Sequence, residues 1–244
     1  MKGTTPVGAH SEQEAATWVR AMFGRVAPRY DLVNHLLSCN IDRHWRAHTV
    51  RRVRHILQRP EARVLDICCG TGDLVLALER GGHPGFLLGS DFCHPMLVSA
   101  KAKLERTHSR GALFESDALR LPLADRSLDL LTVAFGFRNL ANYAAGLAEI
   151  CRVLRPGGMA AILEFSQPSN RVFAGLYNFY SRRILPLIGG ALTGSRDAYT
   201  YLPESVRKFP SAPELAEDMR RAGFHDVRYE LLTGGIVACH LGIA

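Results

Sequence analysis

The sequence lacks long apolar runs. No stretch approaches the roughly 20 consecutive apolar residues that a bilayer-spanning helix needs. The N-terminal segment, M-K-G-T-T-P-V-G-A-H, also lacks the apolar core of a secretory signal. The composition, with 47% hydrophobic and 22% charged residues, is that of a folded globular chain. We therefore expect a cytoplasmic protein with a full hydrophobic core.

Cysteines at metal-binding spacing are missing as well. The chain has six cysteines, including the adjacent pair Cys68 and Cys69, but no C-x-x-C pair. His44 and His48 lie four residues apart on a predicted helix, without the glutamate that follows the first histidine in zinc proteases. We expect reduced, mostly buried thiols and no metal site.

The signatures of phosphate-binding loops are the third absence. Residues 63–73, R-V-L-D-I-C-C-G-T-G-D, predict a buried strand, a glycine-containing turn and the start of a helix, as in nucleotide sites. A dinucleotide-binding loop would carry a third glycine where this chain has Leu74 and Val75, and no G-K-[ST] lysine follows. The ligand of this loop is therefore expected to lack a phosphate.

The acidic start of the same loop favours a ligand that carries a cation. The pattern D-x-x-x-G-x-G begins at Asp66, whose carboxylate can face the sulfonium and ammonium groups of S-adenosylmethionine. The glycines permit a close approach of the backbone. Taken alone, the pattern is equally that of an ordinary turn. In the ligand-binding interpretation, the residues of the loop are Asp66, Gly70, Thr71 and Gly72.

Two further acidic residues follow predicted strands and strengthen that interpretation. Asp91 comes 19 positions after Gly72, about where α/β nucleotide sites place a carboxylate for ribose hydroxyls. Asp117 closes another short strand, and in a methyltransferase the side chain at this place can accept from an adenine amino group while the Ala118 N–H can donate to the ring. Three acids at three successive strand ends predict a nucleoside site, against the alternative of a coincidence.

Apolar segments predict strands that alternate with helices. Predicted strands cover residues 63–68, 86–90, 112–115, 128–134, 159–165, 225–232 and 235–241. Predicted helices cover residues 11–26, 30–37, 43–57, 73–80, 95–106, 142–154 and 212–222, and residues 172–208 are helical and aromatic-rich. Two turns are predicted, at residues 156–158 and as a tight hairpin at 233–235.

This alternation indicates an α/β fold with a parallel, doubly wound sheet. A final hairpin that adds one antiparallel strand gives the plan of the seven-stranded, Rossmann-like class I methyltransferases that use S-adenosylmethionine. We expect a single domain over residues 1–244, with an N-terminal helical lid at 1–58 and a helical insertion at 172–208.

Positive charge is concentrated near the N-terminus. The net charge is +7, and residues 43–55 carry the run R-H-W-R-A-H-T-V-R-R-V-R-H. At helical spacing, this run offers an apolar stripe of Trp45, Val50, Val53 and Leu57. Two interpretations stay open at this point, a solvated basic helix and a helix that docks on an anionic membrane.

Several blocks of sequence resemble one family. The blocks F-G-R-V-A-P-R-Y-D-L-V-N-H-L-L-S and D-R-H-W-R are similar to the N-terminal signature of the menaquinone and ubiquinone biosynthesis C-methyltransferases. F-G-F-R-N-L at 135–140, R-V-L-R-P-G-G-M-A-A-I-L-E-F-S-Q-P at 152–168 and Y-T-Y-L-P-E-S-V-R-K-F-P at 199–210 are similar to further family blocks. The resemblance covers nearly everything from Phe23 onward, and it is nearest to the demethylmenaquinone methyltransferases.

The resemblance implies transfer of a methyl group from S-adenosylmethionine to a ring carbon of a prenylated quinol. It implies catalytic roles for Arg138 and Asn139, of which Arg138 would hold a phenolate or order a water. Tyr30, with Asp31 and Asn34, would belong to a lid over the donor. Two residues of the insertion, Tyr201 and Arg207, would complete that lid.

The sequence specifies the substrate and the partners less closely than it specifies the fold. The acceptor is expected to be demethylmenaquinol, with the benzoquinol precursor of ubiquinone, or both, as the alternative. Residues 172–192 offer either a groove for the isoprenoid tail or ordinary packing. Peripheral membrane contact and a homodimer are compatible with the sequence, and no nucleic acid partner is expected. Nucleic-acid methylation and a non-catalytic donor-binding scaffold are the more distant alternatives.

Overall fold

A seven-stranded sheet forms the centre of the protein. The computed structural model describes residues 3–38, 40–82, 84–168 and 196–244, together with Gly175 and Arg183. The strand order is β3-β2-β1-β4-β5-β7-β6, and β7 runs antiparallel to both of its neighbours while the other strands are parallel. The strands are β1 (Arg63–Ile67), β2 (Phe86–Asp91), β3 (Ala112–Glu115), β4 (Leu128–Ala134), β5 (Leu154–Phe165), β6 (His225–Leu232) and β7 (Val237–Ile243). The predicted class I methyltransferase sheet is confirmed.

Helices flank both faces of this sheet. They are α1 (Glu12–Val26), α2 (Tyr30–Leu37), α3 (Ile41–Leu57), α4 (Asp73–Gly81), α5 (His94–Arg106), α6 (Tyr143–Val153), α7 (Arg196–Lys208) and α8 (Ala212–Arg221). Because helices cover both faces, the central strands are buried on both sides and read as continuous apolar runs. Alternate residues therefore enter two cores: Val64 and Leu130 face one, and Leu65 and Leu131 face the other.

Local capping explains where two of the helices start. At α1, the Ser11 side chain accepts from the backbone N–H of Glu14, which is one of the two bonds of a capping box. The Glu14 carboxylate, however, accepts from the N–H of His10 rather than from that of Ser11. At α8, Ser211 and Glu214 make both bonds of a capping box.

For helix α3 the sequence predicts either a solvated basic helix or a helix that docks its apolar stripe on an anionic membrane, and the structure contradicts the second interpretation. The stripe of Trp45, Val50, Val53 and Leu57 is buried, and it joins the core beside α4 and the sheet. Packing of these four side chains against the sheet and α4 removes their apolar surface from water, which stabilises the fold. This stripe therefore offers no apolar face to a membrane, and the outward side of α3 is basic.

Two predicted turns differ from the structure. Residues 156–158 lie inside β5, which begins at Leu154 and shifts register against β4 between Leu128 and Leu130. The strand continues through the glycines because Gly157 donates its N–H to the Ala244 carbonyl at 2.8 Å. The predicted tight hairpin is a short 3-10 turn, Thr233–Gly235, and β7 starts later than predicted, at Val237.

The predicted helical insertion is described only in part. Helix α7 covers its C-terminal end and contains Pro203. Apart from Gly175 and Arg183, the predicted tail groove at 172–192 lies outside the described residues. Within the described part of the chain, no helix is long and apolar enough to cross a bilayer.

Candidate active site at the carboxyl edge of the sheet

A cleft lies where the carboxyl ends of β1, β2 and β4 meet. This edge is where α/β sheets bind their ligands. The cleft brings together six of the ten residues predicted for the site, contributed by α2, the loop after β1 and the carboxyl ends of β2, β3 and β4: Tyr30, Gly70, Asp91, Asp117, Ala118 and Asn139. The other four predicted residues, Asp66, Thr71, Gly72 and Arg138, do not line the cleft, although Thr71 and Arg138 are each next to a lining residue in the chain.

The loop after β1 has an unusual backbone. Cys68, Gly70 and Gly72 all have positive φ angles, of 50°, 54° and 83°. A side chain at Gly72 would press on Leu104, since an added Cβ would lie 3.0 Å from its Cδ1. Glycine at 72 is therefore required by both conformation and space. The predicted turn into α4 is what the structure contains.

Cys68 lines the cleft and shapes a second glycine position. A Cβ at Gly136 would lie 2.3 Å from the Cβ of Cys68, so the loops after β1 and β4 touch there. Burial and the surrounding carboxylates raise the pKa of the Cys68 thiol well above its ordinary value. The thiol is thus held protonated and unreactive.

Asp91 ties the loop after β1, which is predicted to bind the donor and is called the donor loop below, to the end of β2. Its Oδ2 accepts from the Gly70 N–H at 2.9 Å, and its Oδ1 accepts from the Cys93 N–H at 2.8 Å. Burial raises the pKa of this carboxyl to about 6, although the backbone donors oppose the rise. The carboxylate fixes the loop while it lines the cleft.

Asp66 is more deeply placed than Asp91. It is 1% exposed, and Thr132 donates to its Oδ1 at 2.7 Å. Burial raises the pKa of Asp66 to about 7. A cation brought near this carboxylate would restore its charge, because desolvation is what holds the proton on.

The wall near β3 has the predicted adenine-side residues. Asp117 is exposed and accepts from the Leu119 N–H at 2.9 Å, so one of its oxygens is already used. Ala118 is buried. Apolar side chains complete this wall, namely Phe92, Met96 and Leu119. The site is thus a narrow apolar slot with a polar end.

Arg138 is held by the buried carboxylate of Glu164, a residue that the sequence pattern alone does not single out. The Arg138 Nη1 donates to Glu164 Oε1 at 2.9 Å, and its backbone N–H donates to Glu164 Oε2 at 3.1 Å. Glu164 is 1% exposed and Arg138 is 5% exposed. Nη1 also donates to the Phe135 carbonyl, and Nε to Ser205 Oγ at 3.3 Å. Burial alone would lower the pKa of Arg138, but Glu164 raises it above the usual value.

The neighbouring Asn139 is fixed from two distant parts of the chain. Tyr201 of α7 donates to Asn139 Oδ1 at 3.0 Å. The same phenol lies 2.6 Å from the Thr4 hydroxyl, 197 residues away in sequence. Thr4 in turn donates its backbone N–H to the Leu140 carbonyl at 2.8 Å. The N-terminal segment and α7 therefore meet at the 3-10 turn Phe137–Asn139.

Tyr30 lines the cleft from α2. Its ring packs edge-to-face on Phe23 with centroids 6.0 Å apart. Burial raises the pKa of the Tyr30 phenol, while the charge of Arg138 acts in the opposite direction. Tyr30 and Arg138, both predicted for the site, are therefore close enough to interact electrostatically. By contrast, Arg207, also predicted for the lid, is exposed on α7.

A charged network joins α2 to the donor loop. Lys103 Nζ lies 2.5 Å from Asp31 Oδ2 and 2.6 Å from Asp73 Oδ1, and it donates to Thr71 Oγ1 at 3.2 Å. Thr71 donates to Asp31 at 2.5 Å. Lys103 is on α5, and nothing in its own sequence surroundings marks it. Thr71 thus links the loop after β1 to α2 and α5 and is not among the residues that line the cleft.

A second part of this network invites a metal interpretation. Within the part of the chain that the structure describes, His35, Asp42 and Asp73 form the group whose ligand atoms lie close enough for one ion. Arg46 already pairs with Asp42 and lies 3.7 Å from Asp73, which also accepts from Lys103. Two cations at the same carboxylates leave little attraction for a third.

Aromatic rings form the floor beside Arg138. Phe135 lines the cleft with a positive φ of 60°, and its ring centroid lies 4.8 Å from that of Phe165 and 5.8 Å from that of Trp45. The Arg138 guanidinium lies over Phe165, and that of Arg46 over Phe135. A cluster of mutually tilted aromatic rings therefore adjoins the buried arginine.

Solved structures share this fold at low sequence identity. A methyltransferase of Haloferax volcanii, solved in complex with the Trm112 methyltransferase activator, is 20% identical with a TM-score of 0.64, covering 91% of this chain and 97% of that one. An S-adenosylmethionine-dependent methyltransferase of Thermotoga maritima is 18% identical with a TM-score of 0.62, covering 91% and 98%. These likenesses support the class I fold.

Sequence relatives are much closer. A protein of Thermus thermophilus named demethylmenaquinone methyltransferase is 46% identical over 91% of this chain and 99% of its own length. One of Deinococcus radiodurans with the same name is 43% identical over 97% and 96%. A protein of Syntrophotalea carbinolica named ubiquinone/menaquinone biosynthesis C-methyltransferase is 43% identical over 91% and 92%. The sequence profile of the ubiE/COQ5 methyltransferase family matches residues 9–244. The chain therefore belongs to the ubiE/COQ5 methyltransferase family.

Proposed function

We propose that this protein transfers a methyl group from S-adenosylmethionine to a ring carbon of a prenylated quinol, with demethylmenaquinol as the acceptor. The names of the Thermus and Deinococcus relatives support the naphthoquinol, and that of the Syntrophotalea relative keeps the benzoquinol precursor of ubiquinone as the alternative. The observation that carries the proposal is the cleft, which brings the predicted donor residues to the same sheet edge as Asn139 and the Phe135 ring.

The donor is proposed to lie along β1, β2 and β3. The Gly70 and Gly72 backbone permits close approach, and Asp66 would balance the positive charge of the donor. Asp91 would accept from ribose hydroxyls, and Asp117 with the Ala118 N–H would hold the adenine. The apolar slot of Phe92, Met96 and Leu119 suits a flat ring. Tyr30 would close the slot from the lid.

The acceptor chemistry calls for a positive potential beside an aromatic ring. A quinol ring carbon becomes nucleophilic when a ring hydroxyl loses its proton and places negative charge in the ring. Arg138 would stabilise that phenolate or order the water that takes the proton, since its own pKa is too high for it to act as the base. Asn139 would orient the same oxygen. Positioning of carbon, methyl and sulfur for in-line displacement would supply most of the remaining acceleration.

Glu164 would act by holding Arg138 rather than by touching the quinol. It binds both the guanidinium and the backbone N–H of Arg138, which leaves the arginine few alternative rotamers. A fixed, preoriented charge stabilises a developing anion better than a mobile one.

We further propose that the chain acts as a single domain in which residues 1–58 form the lid. The network of Asp31, Thr71 and Lys103 supports this, because it joins α2 directly to the donor loop. The reaction as written uses no metal ion and no nucleic acid. A cytoplasmic protein that visits the membrane reversibly would meet a prenylated acceptor. A homodimer remains compatible with this scheme.

Incubation with the donor and two short-tailed, chemically reduced acceptors tests the proposal. Mass spectrometry would detect one added methyl on the ring of demethylmenaquinol, of the demethylated benzoquinol, or of both. Product from the naphthoquinol alone assigns menaquinone synthesis, and product from both assigns a dual role. Donor binding without any product would overturn the quinol assignment and favour the nucleic-acid or scaffold alternatives. Activity retained in EDTA would fit the metal-free scheme.

A further inference from the structure

Three large apolar side chains are exposed together on the lid. Leu32 is 65% exposed, Leu36 is 53% exposed and Ile41 is 40% exposed. Leu32 and Leu36 are one helical turn apart on α2, and Ile41 begins α3 after a short turn in which its N–H donates to the Ser38 carbonyl. We name these three residues the lid patch. Clusters of exposed aliphatic side chains often mark a surface that binds a protein, a ligand or a membrane.

Helix α2 carries different chemistry on each of its sides. Tyr30, which hydrogen-bonds Asn34, faces the cleft. Asp31 and His35 face the donor loop, where Asp31 binds Thr71 and His35 lies near Asp73. At about 100° per residue, Leu32 and Leu36 project from the side opposite Tyr30 and Asn34. The lid patch is therefore the outer surface of the same helix that covers the cleft.

Exposed basic residues flank the lid patch in the chain. The two carboxylates of this stretch are already paired, Asp31 with Lys103 and the 4% exposed Asp42 with Arg46. Arg25, in the last turn of α1, and Arg43, in the first turn of α3, are exposed. An apolar patch within a basic rim is complementary to an anionic lipid surface, which offers hydrocarbon depth under phosphate charge.

We propose that the lid patch docks the protein on an anionic bilayer, so that the prenylated acceptor reaches the cleft beside α2 without leaving the membrane. The inference rests on the proposed function, because the isoprenoid tail is what requires a bilayer at this position. Three aliphatic side chains and a few arginines give reversible rather than permanent attachment. The docking face is then α2 and the start of α3, and not the buried stripe of α3.

Co-sedimentation with large unilamellar vesicles tests the docking surface. Vesicles of phosphatidylcholine with phosphatidylglycerol should retain the wild-type protein, and about 0.5 M salt should weaken retention because it screens the arginines. The double variant Leu32→Ser/Leu36→Ser should partition at least about fivefold less. Phe86→Ser is the matched control, because Phe86 is 62% exposed at the amino end of β2, at the end of the sheet opposite the cleft, and it should bind as wild type does.

A charge variant tests the basic rim separately. Arg25→Gln/Arg43→Gln should lower vesicle binding at low salt and flatten its salt dependence, since fewer lipid charges are contacted. Unaltered binding by both the leucine and the arginine pairs would overturn the proposal. A wild-type dimer in solution that dissociates in the leucine variant would also overturn it, because the lid patch would then be covered by a second copy of the chain.

Activity measurements separate this inference from the proposed function. The leucine variant should methylate a short-tailed acceptor in solution at the wild-type rate, yet turn over a long-tailed acceptor in vesicles at least about fivefold more slowly. Equal loss on both acceptors would assign Leu32 and Leu36 to the packing of the lid and would overturn the docking role. If the wild-type protein methylates neither acceptor but still binds vesicles through these leucines, the quinol assignment fails and the docking surface stands.

Discussion

The two sides of the cleft are built in different ways. The side proposed to bind the donor (the donor side), along β1, β2 and β3, includes backbone N–H groups that donate to a strand-end carboxylate, as Gly70 and Cys93 do to Asp91, beside side-chain pairs such as Thr132 with Asp66. The side proposed to bind the acceptor (the acceptor side) is held mainly by side-chain pairs, such as Arg138 with Glu164 and Thr4 with Tyr201. A site made from backbone tolerates sequence change, whereas one made from long-range side-chain pairs depends on each partner. Substitutions on the two sides should therefore differ in size.

The largest effect is expected at the acceptor side. Arg138→Ala should lower kcat by about 100-fold or more, because it removes the charge proposed to stabilise the phenolate. The Kd of the donor, measured by calorimetry, should change by less than about threefold. Equal losses in kcat and donor affinity would show that Arg138 supports the donor side instead, and the comparison of the two sides would fail.

Loss of the Glu164 charge should be next in size. Glu164→Gln leaves a buried guanidinium without its counter-charge, which should cost about 3–5 kcal/mol of unfolding free energy. We expect kcat to fall by about tenfold or more, with the KM of the acceptor less affected. Chemical denaturation and steady-state kinetics provide the two measurements. In the double variant with Arg138→Met, much of the stability should return, since no unpaired charge remains.

The donor side should show a pH effect that the acceptor side lacks. The pKa values of Asp66 and Asp91 rise in the folded state, to about 7 and about 6. At these two groups the unfolded chain binds fewer protons than the folded one, so their contribution to the free energy of unfolding should decrease as pH rises from about 4 to 7, whereas the buried His240, whose pKa falls to about 4, acts in the opposite direction. Denaturation across this range should show a weaker decrease in Asp66→Asn. The same slope in both proteins would contradict the buried titration.

The smallest effect is expected at Asp117. Asn at this position keeps an oxygen that can accept both from the Leu119 N–H and from an adenine amino group. The donor Kd of Asp117→Asn should therefore stay within about threefold of wild type, while Asp117→Ala should weaken it more. Calorimetric titration of the three proteins with the donor decides the order. A large loss in Asp117→Asn would mean that the charge, and not the acceptor oxygen, matters at this strand end.

The contrast between the two sides also explains what the sequence could predict. Asp66, Asp91 and Asp117 were accessible from sequence because each follows an apolar run, and parallel strands bring their carboxyl ends to one edge. Lys103 and Glu164 were not, because their roles depend on partners 30 and 26 residues away whose approach only the tertiary fold determines. The stripe of α3 shows the same limit, since periodicity marks an apolar face without saying what covers it.

The Thr4–Tyr201 contact has a practical consequence for protein engineering. Thr4 is 6% exposed, and a Cβ at Gly3 would lie 1.9 Å from the Ala141 carbonyl oxygen, so these first residues are packed against the turn that carries Arg138 and Asn139. Trimming the first ten residues to aid crystallisation would leave Tyr201 with one partner fewer and would loosen Asn139. A shortened chain of this kind should be treated as an active-site variant, and its kinetics should not stand for those of the intact protein.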